Sequence, residues 1–255
     1  MYIKKELQHR SSFLCIITAL IRISISDHLR NGSFTFSGKC DILKLYADNS
    51  KTKIRKAADS IKVFDFDNTL YHGESSIDMA FHMINNNRKI LLYVPSILIN
   101  LAKYKLCLVD KEKAEQSIND FLKFAISDKR EVDEIVKSFW EKNSCKLDQN
   151  MIKRIGKDDL IMTAGPDILI NGVRDKLNTE NIISSIIDTD KREMVYFNFG
   201  ENKAKRYKEL YGDTPIESFY TDSFNDRSMM KLAQKVYIVE KGKLKKLSAK
   251  GMAKL

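Results

Sequence analysis

From Leu160 onward, short β-branched and aromatic runs alternate with helical segments, and this alternation constrains the fold more than any other feature of the chain. The strand-like runs are Leu160 to Met162, Ile182 to Ile187, Val195 to Phe199, Glu217 to Tyr220 and Val236 to Val239. The helical ones are Pro166 to Lys176, Lys203 to Tyr211 and Asn225 to Gln234. Such an alternation predicts an α/β fold, a parallel sheet covered by helices on both faces. In sheets of this kind ligands bind beyond the carboxyl ends of the strands, so the chemistry is to be sought there.

One further strand precedes this region. Ile61, Val63 and Phe64 form a short apolar run that stops abruptly at Asp65-Phe66-Asp67-Asn68-Thr69-Leu70. Residues 75–149 then lack strand alternation and carry helical periodicity, as in Ile90 to Leu101, Ala114 to Phe124 and Val132 to Trp140, which predicts an insertion of roughly four helices. The expected division is an extension over 1–57, a core formed by 58–74 and 150–255, and the helical insertion over 75–149. Within the extension, the apolar run Phe13 to Ile21 follows Lys4, Lys5 and Arg10 in a layout like that of a signal peptide. Arg22 interrupts it short of the ~20 residues that a membrane span needs, and no small-residue cleavage site follows cleanly. A packed or loosely attached helix is expected, with membrane association through 13–21 as the alternative.

Hydrophobic residues at 43%, charged residues at 31% and only three prolines are those of a folded globular chain. The net charge of +10 suits anionic partners, but the basic runs Lys51 to Lys56 and Lys241 to Lys250 lack the interleaved aromatics of a nucleic-acid stacking platform. No nucleic-acid partner is expected. Cys15, Cys40, Cys107 and Cys145 form no Cys-x-x-Cys pair and have no histidines at ligand spacing, which predicts reduced thiols in a cytoplasmic protein; two disulfides are the alternative.

Four polar segments fall at predicted strand ends. Asp65 and Asp67, two apart, point to the same side of an extended chain and make an acid pair, although acids also cluster in turns and caps. Thr163-Ala164-Gly165-Pro166 leads from a strand into a helix and can cradle an anion with backbone N–H groups and a hydroxyl; a plain capping turn has the same composition. Gly200-Glu201-Asn202-Lys203 places a lysine at a helix start, where it would stabilise a transferring phosphoryl group if carboxylates lie beside it and would otherwise face solvent. Asp222-Ser223-Phe224-Asn225-Asp226 offers two acids four apart, oxygen ligands of the kind Mg²⁺ accepts, or a favourable charge for the next helix.

The order acid pair, hydroxyl, lysine, acid pair resembles the haloacid dehalogenase superfamily of hydrolases, over residues 58 to about 240. The resemblance implies a Rossmann-like three-layer parallel-sheet core with a helical cap domain inserted after the first strand. It also implies a Mg²⁺-dependent phosphatase that cleaves a phosphomonoester through an aspartyl-phosphate. Asp65 would be the nucleophile and Asp67 the acid/base. Asp65, Asp222 and the backbone carbonyl of Asp67 would hold the metal. Asp226 would orient Lys203 or a metal-bound water, Thr163 and Lys203 would hold the phosphoryl oxygens, and Ala164 and Gly165 would line the substrate site. Asp67 sets the chain apart from the dehalogenases proper, which lack that second acid. The position of the insertion, and Glu74 nine residues after Asp65, resemble the phosphoserine phosphatase-like members, whose glutamate there binds substrate. The chain departs from phosphoserine phosphatases in Thr163-Ala164-Gly165, where they have Ser-Gly-Gly, and in Thr221-Asp222-Ser223, where they have Gly-Asp-Gly. A small phosphorylated metabolite is the expected substrate class. The alternatives are a phosphate- or partner-binding protein of the same fold without turnover, and a membrane-associated phosphatase acting on a lipid-linked phosphate.

Overall fold

The structure is a computed structural model of the 255-residue chain, and it describes residues 60–93, 116, 119–124, 129–240 and 242–255. The extension 1–57 with its run 13–21, residues 94–101 of the predicted helix Ile90 to Leu101, residues 114, 115, 117 and 118 of the predicted helix Ala114 to Phe124, and Cys15, Cys40 and Cys107 lie outside the described residues. Among the described residues no helix is long and apolar enough to cross a membrane. The chain divides into two compact units. One includes residues 84–126; its described part includes the 3-10 helix Arg88–Leu92, started by the Asn87 side chain accepting the Lys89 N–H at 3.0 Å, and the stacked pair Tyr93 and Phe124.

The other unit, which includes residues 60–83 and 127–255, holds the sheet. Its strands are β1 (Ile61–Phe64), β2 (Leu160–Pro166), β3 (Ile182–Asp188), β4 (Glu193–Tyr196), β5 (Ile216–Thr221), β6 (Ala233–Glu240) and β7 (Lys243–Lys246), in the order β4-β3-β2-β1-β5-β6-β7. The five inner strands are parallel and the two edges antiparallel. β1 is central, between β2 and β5, so the end of β1 lies where connections leave to opposite sides, as expected of a ligand crevice.

Strand alternation gives the sheet two apolar faces. Ile61, Val63, Leu160, Met162 and Phe219 pack with Tyr207 of the helix Glu201–Tyr211 and with Met229 and Met230 of the helix Arg227–Met230. Phe64 and Ile161 belong to the opposite side, where Phe64, Tyr220 and Tyr237 occupy one register line and stack at 4.5 and 4.9 Å. Trp140, on the helix Lys129–Asn143, packs edge-on against Phe66 and Tyr71 and donates its indole N–H to the Leu169 carbonyl at 2.7 Å. This helix therefore belongs to the same compact unit as the sheet.

Several elements differ from expectation. The segment Val195 to Phe199 is not another parallel strand: β4 ends at Tyr196 and runs antiparallel to β3. The link between them is only residues 189–192, folded by Asp188 accepting the Asp190 and Lys191 N–H groups and by Arg192 at φ 56°, and four residues are too few for a parallel crossover. The segment Pro166 to Lys176 is not one helix, because β2 runs through Pro166 before the short helix Asp167–Asn171 and the 3-10 turn Arg174–Lys176. The segment Asn225 to Gln234 yields a 3-10 turn and a four-residue helix, because β6 takes over at Ala233 to pair with Ile216. Finally, part of the basic run Lys241 to Lys250 is the edge strand β7, reached through Gly242 at φ 75°, with Lys243, Lys245 and Lys246 exposed.

Gly172, after the helix Asp167–Asn171, lies against the buried face of the helix Lys129–Asn143; an added Cβ would run into Val136 Cγ1 and come within 2.8 Å of Trp140 Cδ1. Gly172→Ala is expected to destabilise the protein by about 1–3 kcal/mol through overpacking. In urea denaturation this would read as a lower midpoint at unchanged slope.

Candidate active site

The ends of β1, β2 and β5 are brought level by their register. Phe64 pairs with Ile161 on one side and Tyr220 on the other, and the Asp65 N–H extends the second ladder by donating to the Tyr220 carbonyl at 2.8 Å. Asp65 thus leaves the sheet with a fixed backbone. After it the chain turns sharply: the N–H groups of Thr69, Leu70 and Tyr71 all point at the Phe66 carbonyl, and Asn68 takes a left-handed φ of 55°, which asparagine tolerates better than most residues. The turn delivers Asp67 to the start of the helix Ser75–Asn86, where its Oδ1 accepts the Ser75 N–H at 2.7 Å. Asn68 Nδ2 donates to Glu74 Oε1 at 2.7 Å, which holds this exposed carboxylate beside the turn.

Asp65, Lys203 and Asp226 form one buried ion cluster. Lys203, 2% exposed at the start of the helix Glu201–Tyr211, donates to Asp65 Oδ1 at 2.8 Å and Asp226 Oδ2 at 2.9 Å. The Thr221 hydroxyl donates to the same Asp226 oxygen at 3.1 Å. Burial alone would strip the proton from Lys203, but Asp226 and Asp65 outweigh it and hold the amine firmly charged. Burial also raises Asp65, and Lys203 opposes it while Asp226 and Asp222 add to it. Asp222 is pushed up to about 6, first by burial and then by Asp226. Burial raises Asp67 as well, opposed by its hydrogen bonding to Ser75. One ammonium therefore faces Asp65, Asp226 and, through the charge felt at Asp65, Asp222.

That excess of carboxylate is the setting for a divalent cation. Among the described residues no three acidic, histidine or cysteine side chains close into a ready-made metal cage. Mg²⁺ does not need one, since it binds through one or two carboxylates and keeps several waters. Asp65 and Asp222, whose charge is felt at Asp65, could supply two such carboxylates.

Thr163 is fully buried and lies two residues beyond Ile161, the last residue of β2 that pairs with β1. Its hydroxyl accepts the Gly165 N–H at 3.0 Å, and a Cβ at Gly165 would press on that oxygen at 3.3 Å, so glycine suits the position. The five-residue helix after Pro166 offers no extended dipole, so the anion-binding capacity of this segment rests on the hydroxyl and N–H groups of 163–165. Asp65, Lys203 and Asp226 are thus joined directly, Asp222 joins them through space, Asp67 and Glu74 meet at the turn, and Thr163, Ala164 and Gly165 lie toward the carboxyl end of β2, the neighbour of β1. Sequence reasoning gave no role to Asn68 and Thr221. Their polar types beside the acids were a signal, but turn-forming residues look the same.

Residues 63–231 match the family model described as haloacid dehalogenase-like hydrolase. Among solved structures, a protein of unknown function from Bordetella pertussis Tohama I superposes with a TM-score of 0.51 at 15% identity, over 69% of this chain and 88% of that one. A phosphoserine phosphohydrolase-like protein from Francisella tularensis subsp. tularensis SCHU S4 gives a TM-score of 0.43 at 20% identity, over 69% and 85%. No curated protein matches the chain.

The carboxyl of Asp222 holds its proton more tightly in the folded chain than in an unfolded one, where it would titrate near 3.9. Its stabilising contribution is therefore complete below that value and is lost as pH rises through about 6. With chelator present, Asp222→Asn is expected to match the parent near pH 4 and to exceed it by up to about 3 kcal/mol near pH 7 in urea denaturation. Equal losses in both proteins would place the titration elsewhere.

Proposed function

We propose that this chain, which belongs to the haloacid dehalogenase-like hydrolases, is a Mg²⁺-dependent phosphatase that hydrolyses a small phosphomonoester through an aspartyl-phosphate. The observation that carries the proposal is the buried Asp65–Lys203–Asp226 cluster at the end of the central strand, with Asp67 two residues on and anchored separately.

In the proposed reaction the substrate phosphoryl group enters beside Asp65, with its oxygens taken by Lys203 and the Thr163 hydroxyl. A carboxylate oxygen of Asp65 attacks phosphorus in line, the bond from phosphorus to the ester oxygen breaks, and Asp67 gives its proton to the departing oxygen. The burial that raises Asp67 favours its holding that proton, and the Ser75 N–H steadies the carboxylate left behind. Asp67 then takes a proton from water as the water oxygen attacks the aspartyl-phosphate. Phosphate leaves, Asp65 is regenerated, and Asp67 is protonated again for the next cycle. Bound by Asp65, Asp222 and the Asp67 carbonyl, Mg²⁺ would supply charge neutralisation for the phosphoryl oxygens. Asp226 keeps Lys203 aimed. Glu74 at the rim is assigned to the non-phosphate part of the substrate, and Ala164 and Gly165 to its phosphate.

The helical insertion over 75–149, placed between core segments 58–74 and 150–255, is proposed as the cap of this enzyme, in the manner of the phosphoserine phosphatase-like members. The spacing of the four cysteines, with no Cys-x-x-Cys pair, suits reduced thiols, and we place the reaction in the cytoplasm.

Phosphate release from a panel of phosphomonoesters tests the reading. Release is expected with Mg²⁺, lost with chelator and undetectable in Asp65→Asn. Asp67→Asn should turn over roughly 100- to 10,000-fold more slowly, with phosphorylated protein accumulating and visible by mass spectrometry. Full activity in Asp65→Asn would overturn the assignment.

A further inference from the structure

The ladder between β2 and β3 breaks at the site. Ile161 and Met162 pair with Ile182 and Ile183, but the next pair is Pro166 with Ser185, so residues 163–165 face the single residue 184. Bulges of this kind re-aim side chains, and they leave carbonyls without strand partners. Here two buried side chains take up those carbonyls. Asn198 Nδ2 donates to the Thr163 carbonyl at 2.9 Å and to the Ile183 carbonyl at 3.2 Å. The Ser185 hydroxyl donates to the Ala164 carbonyl at 2.7 Å and accepts the Asn198 N–H at 2.9 Å. Two carbonyl acceptors fix which end of the Asn198 amide carries the nitrogen.

Resting on the phosphatase reading, we propose that Asn198 and Ser185 are positioning residues that aim the Thr163 hydroxyl and the Ala164 N–H at the phosphoryl oxygens. The peptide group is planar, with C=O and N–H pointing opposite ways. Holding the Thr163 carbonyl from the Asn198 side turns the Ala164 N–H away from it. Holding the Ala164 carbonyl on Ser185 sets the Gly165 N–H, which donates to Thr163 Oγ1. That bond occupies the hydroxyl as an acceptor and leaves its own proton to donate. The same loop anchors the lysine: Asn202 Nδ2 donates to the Phe197 carbonyl and the Tyr196 hydroxyl to the Asn202 carbonyl, immediately before Lys203. Asn198 thus ties the hydroxyl and the ammonium of one anion site to a single loop.

The test compares full-length parent, Ser185→Ala, Asn198→Ser, Thr163→Val and Thr163→Val/Ser185→Ala. It measures the affinity for inorganic phosphate by calorimetry, kcat and KM on p-nitrophenyl phosphate, and the melting midpoint. Ser185→Ala and Asn198→Ser should each weaken phosphate binding and raise KM by roughly 10- to 100-fold, the worth of one hydrogen bond to a charged group. Ser185→Ala should add little once Thr163→Val has removed the hydroxyl, a coupling that a purely structural role would not produce. A lower melting midpoint with unchanged phosphate affinity, or equal losses in both backgrounds, overturns the proposal. If the parent binds phosphate with this Ser185 dependence yet releases none from the ester, the brace stands and the hydrolysis reading falls. If the parent binds no phosphate, the brace falls.

Discussion

The ammonium of Lys203 is the group on which the site depends. The amine and the two carboxylates are all buried, so each relies on the others to balance its charge away from water. Removing one member of such a buried set leaves an unpaired charge, at a cost of about 3–5 kcal/mol. The triad also spans the fold. Asp65 follows β1, Lys203 opens the helix Glu201–Tyr211 that leads into β5, and Asp226 follows β5, so one set of hydrogen bonds ties the end of the central strand to the connections before and after its neighbour β5.

Burial raises both Asp65 and Asp67, yet their supports differ. Asp65 has an ammonium at 2.8 Å; Asp67 takes the Ser75 N–H at 2.7 Å and feels the same ammonium from further off. Two carboxylates two residues apart thereby meet different partners, as the nucleophile and the acid/base of the proposed reaction would. The separation arises from the turn at Asn68, which carries the second acid away from the cluster and onto the next helix start.

The acids were legible because each follows an apolar run that stops abruptly, and the sheet was legible because its parallel strands are buried on both faces and so read as near-continuous apolar segments. Lys203 was legible only by its company. The direction of β4 was hidden, because an aromatic and β-branched run carries no sign of its partner; the length of residues 189–192 decided it. The helix expected over Asn225 to Gln234 yielded to pairing with β5, a tertiary gain that local periodicity does not encode. Asn198 and Ser185 were invisible for a related reason. Their partners are backbone carbonyls 35 and 21 positions away, so nothing in their neighbourhood marks them as more than loop and strand residues.

The antiparallel edges carry a consequence for how the molecule behaves in a crowded solution. An open parallel sheet exposes unpaired backbone along its outer strands, a template on which a second chain can add by main-chain pairing. Here one flank is turned back into a tight hairpin by β4, and the other ends in β7, four residues long with three exposed lysines. A strand approaching that flank from another copy would have to bring like charges together and would find little length to grip. Part of what reads in the sequence as a basic run is thus edge-strand charge, placed where it opposes pairing with the same edge of another copy.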